Sequence, residues 1–136
     1  MKKGLLIGLL FLGLAFVGGC AKGKGEISCT VSKDMKYEAA VLSVAPAEFE
    51  KAGFSLGDSV DVKFGNGFTL EDIPYFNGYY VKNAEPLMVA YPGFNTVQVT
   101  FNNLGIWDIA GLKEGDTVEI RLNKAKKYSA IQDSIG

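Results

Sequence analysis

Ala52–Phe64 reads AGFSLGDSVDVKF, and Ala110–Leu122 reads AGLKEGDTVEIRL. The two segments match position by position: Ala-Gly-apolar, two variable residues, Gly-Asp, a hydroxyl residue, Val, an acid, a β-branched residue, a base, an apolar residue. A short chain that writes one pattern twice has few ways to fold. Each copy ends in an alternation of apolar and polar residues, Val60, Val62, Phe64 in one and Val118, Ile120, Leu122 in the other. Period two with β-branched residues is the signature of a half-buried strand. Both strands must therefore cover one core, and the pattern predicts two half-motifs packed about a pseudo-twofold axis.

The context of the two copies also repeats. Pro46–Ala52 opens with proline and follows with acids, which suits a helix start, and it stops at Gly53. Leu104–Ala110 is its counterpart and stops at Gly111. Gly57-Asp58 and Gly115-Asp116 then read as turns that open a strand, with glycine where the chain needs positive φ and aspartate bonding nearby backbone. That chemistry accounts for Asp58 and Asp116 without a catalytic carboxylate pair. Val97, Val99 and Phe101 form a further alternating run. Tyr37–Val44, Phe68–Ile73, Tyr79–Lys82 and Pro86–Ala90 complete the expected strands, with Asn77-Gly78 as a two-residue hairpin turn. The fold class is all-β: a small closed Greek-key barrel with two short helical turns and an internal pseudo-twofold repeat.

The N-terminus reads differently. Met-Lys-Lys precedes GLLIGLLFLGLAFVGG, an uncharged run that ends at Cys20. A basic start before a short apolar run forms a secretion signal, and a membrane-crossing helix needs about 20 apolar residues. Val17-Gly18-Gly19-Cys20 resembles a bacterial lipobox, which implies cleavage before Cys20 and a diacylglycerol on its thiol. The predicted organisation is a lipoprotein signal peptide over 1–19, a lipidated cysteine and flexible tether over 20–35, a barrel over 36–130 and a tail over 131–136. Gly/Lys-rich Ala21–Gly25 suits a tether. Export would place the chain on the extracytoplasmic face of a membrane. Cleavage also removes Lys2 and Lys3 from the 14 basic side chains and leaves 15 acidic ones, so the exported chain is net negative. A nucleic-acid partner demands a basic footprint, and none is present. Cys29 is then the one remaining thiol, and within Ile27–Val31 it reads as a small strand residue.

Little in the chain does chemistry. It has no histidine, the commonest general base and metal ligand. It has no Gly-x-x-x-x-Gly-Lys phosphate loop and no Gly-x-Ser-x-Gly elbow. No cofactor and no metal are expected, and the sequence gives little reason to expect a self-sufficient enzyme. The aromatic residues are more informative. Tyr75, Phe76, Tyr79 and Tyr80 flank Asn77-Gly78, and Tyr91, Phe94 and Trp107 follow. Such rings either pack a hairpin or stack on a ligand, and both roles stay open. Lys124–Lys127 reads as a solvated end.

From about Tyr37 to Tyr128 the chain resembles the C-terminal barrel domain of the S-adenosyl-L-methionine hydroxide adenosyltransferase and fluorinase family. The resemblance is carried by Gly57-Asp58-Ser59-Val60-Asp61-Val62, by Gly78-Tyr79-Tyr80-Val81 leading to Glu85-Pro86-Leu87, by Val97–Asn103 and by Ala110–Val118. It implies a small closed Greek-key barrel. In that family the barrel contributes adenine contacts around an asparagine followed by small residues, and a larger N-terminal α/β domain carries the catalytic aspartates. Asn102 falls at that asparagine, while Asn103, Leu104 and Trp107 stand in place of the small residues. Asn102-Asn103 also sits where asparagine caps a helix. A signal and tether stand where the family has its catalytic domain.

The candidate ligand-binding residues are Asn102, Asn103, Trp107, Tyr79, Tyr80 and Phe94. The expected function is a membrane-anchored, non-catalytic module that binds a small molecule or an envelope protein, as a monomer or an oligomer. Two alternatives stand beside it. One is the adenosine-binding half of an enzyme completed by a separate catalytic domain. The other is a structural envelope spacer.

Overall fold

A computed structural model describes residues 20–135 of the chain. The signal peptide expected over 1–19 lies outside the described residues. Eight strands and three short helices follow in the order β1 (Cys20–Gly23), β2 (Glu26–Lys33), β3 (Ala40–Leu42), α1 (Pro46–Lys51), β4 (Ser59–Phe64), β5 (Thr69–Phe76), β6 (Pro86–Val89), β7 (Gln98–Phe101), α2 (Trp107–Ala110), β8 (Thr117–Lys124) and α3 (Ser129–Ile135). Seven of the strands, β2-β3-β7-β6-β5-β4-β8, close into a ring through the β2–β8 pairing. β1 pairs only with β2 and stands outside the ring. The expected closed all-β barrel is therefore present, and closure leaves few open edges. It is a mixed barrel, because β5 and β6 run parallel.

The sequence repeat becomes a twofold relation between strands. β4 and β8 pair antiparallel with Val62 opposite Ile120, the same position of the two copies. Val60 faces Leu122 and Phe64 faces Val118, so the pairing is symmetric about that point. β3 and β7 pair antiparallel on the same relation, Ala40 with Val99 and Val41 with Gln98. The turns repeat bond for bond. Ser55 N–H donates to Asp58 Oδ2 at 2.8 Å, and Lys113 N–H donates to Asp116 Oδ2 at 2.9 Å. Gly57 N–H donates to Tyr75 O at 2.7 Å, and Gly115 N–H donates to Val31 O at 2.9 Å. Gly57 and Gly115 both hold positive φ, 97° and 86°, as do Gly53 and Gly111 beyond the two helices.

Alternate residues of the ring strands fill one core: Ile27, Cys29 and Val31, then Val60, Val62 and Phe64, then Val118 and Ile120. Phe49 from α1 and Trp107 from α2 occupy corresponding places in the repeat and both reach this core. Phe49 meets Phe54 edge-to-face at 5.2 Å and Tyr75 at a tilt of 43° and 5.7 Å. A second, smaller core lies apart from it. Phe76, Leu87 and Val89 are buried there against Tyr80, Val81 and Tyr128. Leu87 and Val89 flank Met88, which belongs to the main core, so the two cores occupy opposite faces of β6.

Four expectations are corrected. The stretch 20–35 is not a tether: β1 and β2 occupy most of it, and Glu26–Lys33 is a ring strand paired with β8 and β3. Ile27, Cys29 and Val31 carry an apolar alternation that needs burial, which overrides the flexible Gly/Lys-rich start. The end is not a free tail either, because 131–136 begins inside α3 and Gln132 is buried. Asn77-Gly78 does not turn a hairpin. Neither residue has positive φ, Tyr79–Lys82 is not a strand, and 77–85 is a crossover between parallel β5 and β6. Finally, the second helix is only Trp107–Ala110, and Leu104 instead bridges back to Phe101.

Candidate functional site

Three connections carry the exposed aromatic residues. The first, after β2, is a tight loop in which Asp34 Oδ2 accepts from Tyr37 N–H at 2.7 Å and Glu38 N–H donates to Asp34 O at 2.8 Å. That loop holds Tyr37 outward, with Lys36 Nζ 5.2 Å from its ring centre. The second is the 77–85 crossover. Tyr80 turns inward here: its ring lies 5.5 Å from Phe76, and its hydroxyl donates to Asn77 Oδ1 at 2.9 Å. Gly78 makes this possible, since a Cβ at that position would stand 2.6 Å from the Tyr80 ring. Tyr79 consequently points to the surface. The third connection is Tyr91-Pro92-Gly93-Phe94, where Phe94 N–H donates to Tyr91 O at 3.2 Å and Gly93 has φ 93°. Proline at the second position and a positive-φ glycine at the third are the signature of a type II turn. The turn sets its two end rings side by side.

The result is a continuous aromatic strip. Tyr79 lies 6.2 Å from Tyr91, and Tyr91 lies 6.0 Å from Phe94, with rings tilted by 38° and 48°. Tyr79, Tyr91 and Phe94 are 41%, 49% and 64% exposed, and Tyr37 is 66% exposed. Core aromatics are buried, so four large rings in the open need a reason. Partial burial pushes the Tyr79 hydroxyl above its ordinary pKa of 10.0, and the Asp34 carboxylate, Tyr37 and Tyr91 push it the same way. Asp34 and Tyr37 therefore stand within electrostatic reach of the strip. Among the described residues, the hydroxyls of Tyr37, Tyr79 and Tyr91 make no hydrogen bond to the protein.

The remaining sequence candidates lie elsewhere. Asn102 Nδ2 donates to Val81 O at 2.9 Å, and its backbone bonds Glu85 O and Ala84 N–H. It fastens the far end of the crossover. Asn103, at φ 62°, donates from Nδ2 to Asn83 Oδ1 at 2.9 Å. Neither caps α2, whose N-cap is Ile106 with no side-chain bond. Trp107 is only 7% exposed and belongs to the main core. Thus Tyr79 and Phe94 come together, while Tyr80, Asn102, Asn103 and Trp107 hold the scaffold. Gly57, Asp58, Gly115 and Asp116 form the strand-opening turns.

A polar cluster missed in the sequence sits where β5 meets the chain after β8. Asp72 accepts from Ser59 Oγ at 2.6 Å, Tyr128 Oη at 2.9 Å and Lys127 Nζ at 2.6 Å. These donors, Lys127 first, hold its carboxyl down at about 2. Asp72 has φ 57° beside a β4–β5 register shift. Its own N–H donates to Asp61 Oδ1, which also accepts from Asn123 Nδ2. The cluster clamps the C-terminal segment onto β4 and β5. Ser59 is fully buried, with its hydroxyl engaged by Asp72. Among the described residues, no group of three His, Cys, Asp or Glu side chains could hold a metal ion.

Fold and strip together define a small closed mixed β-barrel with an aromatic surface. No protein-family model matches the chain, and no curated protein does. Among solved structures it is similar to an uncharacterized conserved protein from Thermotoga maritima, with TM-score 0.67, 16% identity and 79% of this chain covered. It also matches a conserved hypothetical protein from Thermus thermophilus, with TM-score 0.45, 20% identity and 71% of this chain covered. The chain spans 40% and 34% of those two proteins. The first likeness establishes a shared barrel fold.

Proposed function

We infer that the protein is an exported lipoprotein, anchored through Cys20, whose barrel is a non-catalytic binding module. The observation that carries the binding role is the exposed strip Tyr79–Tyr91–Phe94, built by a crossover and a type II turn that serve no core with these rings. The anchoring rests on the basic start, the apolar run and the lipobox-like Val17–Cys20. The family resemblance enters as ancestry of the barrel. The asparagine that would contact adenine in that family, Asn102, is engaged by Val81 here, which favours the binding module over an adenosine-binding half-enzyme. An aromatic strip likewise has no use in a mere spacer.

Two measurements test this reading. Membrane-fraction protein should carry the mass of a diacylglyceryl group and lack residues 1–19, and Cys20→Ser should abolish that mass. Labelled protein mixed with an envelope extract should show amide shifts confined to 34–38, 77–82 and 90–95. Shifts confined to the outer face of β4 and β8, or none, would overturn the binding surface.

A further inference from the structure

Resting on that binding-module reading, we propose that the strip takes an uncharged carbohydrate chain, whose sugar rings lie on Tyr79, Tyr91 and Phe94. Three features of the surface select this class.

The first is ring spacing. Centroids 6.2 and 6.0 Å apart put neighbouring rings in mutual contact. The rings are tilted by 38° and 48° and present a row of faces. A ligand can lie on the rings, and a sugar presents a flat C–H face of suitable size. The second is hydrogen bonding. The hydroxyls of Tyr37, Tyr79 and Tyr91 are without protein partners among the described residues, and each can donate and accept. A polyhydroxylated ligand satisfies such groups from many directions. The third is charge. Asp34 acts on Tyr79 electrostatically, and its carboxylate repels phosphate or carboxylate ligands while accepting from sugar hydroxyls. Lys36 stays with Tyr37, its Nζ 5.2 Å from that ring centre. A base would also stack on these rings, but it arrives with phosphates that meet Asp34 and a net-negative chain.

Calorimetric titration of the full-length protein in nanodiscs tests the class. The probes are cellohexaose and chitohexaose, oligogalacturonate as the anionic counterpart, and a proline-rich peptide. At least one neutral oligosaccharide should bind saturably, and oligogalacturonate should bind more weakly than either. Tyr91→Ala and Phe94→Ala, both at exposed positions, should each weaken binding roughly tenfold, about one stacking contact. Asp34→Asn should strengthen oligogalacturonate binding. Tighter binding of the peptide or of oligogalacturonate, lost in Phe94→Ala, would overturn the ligand class and leave the binding module standing. Silence from every probe also overturns the class, and the amide-shift experiment then decides the module by itself.

Discussion

Gly57 and Gly115 hold the same place in the two repeats, and they should respond differently to the same substitution. Both have φ in the left-handed region, 97° and 86°, where an L side chain costs about 1–3 kcal/mol. A Cβ on Gly115 meets nothing within 4 Å. A Cβ on Gly57 would stand 2.7 Å from Ser129 Cα and 3.1 Å from its N, at the start of α3. That is backbone, and it cannot swing aside. To make room, α3 must shift and release Tyr128 N–H from Gly57 O, a bond of 2.7 Å. The paired amides of Gln132 and Asn77, joined at 3.1 and 2.9 Å, are then strained as well. Each such bond contributes about 1 kcal/mol net. Gly57→Ala should therefore cost about 1–3 kcal/mol more than Gly115→Ala.

Thermal unfolding of both variants by circular dichroism reads the gap. At about 4 °C per kcal/mol for a domain of this size, Gly115→Ala should lower Tm by about 4–12 °C and Gly57→Ala by a further 4–12 °C. Truncation before Ser129 should then abolish the difference, as a coupling between two contacting sites requires. Equal falls for the two variants in the intact chain would show that Ser129 does not press on Gly57. Wild-type melting for both would refute the argument that these turns need glycine.

Other perturbations follow from the same geometry. Phe49→Ala removes a fully buried ring packed against Phe54 and Tyr75 and should cost about 3–5 kcal/mol by urea denaturation; a loss below about 1 kcal/mol would mean the main core does not include α1. Asp72 is held at about 2, below its ordinary 3.8, so the stability it supplies is full above about pH 4 and is lost as pH falls toward 2. Asp72→Asn keeps a residue that tolerates positive φ, and its deficit in urea midpoint should shrink across that window; a constant deficit would remove the charge from the account. Tyr75 is pushed up to about 12, by burial first and then by Glu50 and Asp58. Its contribution is complete below pH 10 and is lost as pH rises through about 12, so Tyr75→Phe should flatten the alkaline limb of the stability profile. An unchanged limb would assign that loss to other groups.

The parts of the fold legible in the sequence are those with local causes. Val60-Val62-Phe64 and Val118-Ile120-Leu122 must alternate between core and surface whatever surrounds them, and they do. Asp58 and Asp116 bond backbone only three residues away, so their turns could be read directly. Asn77-Gly78 failed because its fate is set at a distance: Asn77 bonds Gln132, and Phe76 pairs in parallel with Val89. Asp72 was invisible for the same reason, since its partners Lys127 and Tyr128 lie far along the chain. The strip was half legible. Tyr79 and Phe94 stood among the candidates, and Tyr91-Pro92-Gly93-Phe94 is a turn signal that joins Phe94 to Tyr91, but only the fold brings Tyr79 beside them.

The strip lies where the twofold relation breaks. In one half, Val31 alone serves two neighbours: it bonds the turn at Gly115 and Asp116 and faces Leu42 on β3. In the other half these roles fall to two residues. Tyr75 bonds the turn at Gly57 and Asp58, while Leu87 faces Thr100 on β7. One continuous strand, β2, thus corresponds to the end of β5 together with β6, joined by the 77–85 crossover. That crossover has no counterpart in the other half, and the twofold core does not require it. It brings its own small core, with Tyr80 and Val81 over Phe76, Leu87 and Val89, and this core fixes the direction in which Tyr79 points. Its Tyr79 then meets Tyr91 and stands within reach of Asp34 and Tyr37, from loops at either end of the β3–β7 pair. Symmetric positions therefore carry the stability of the barrel. The asymmetric insertion gathers side chains that neither repeat could bring together, which is the reason to seek the ligand there and not at the repeated aspartates.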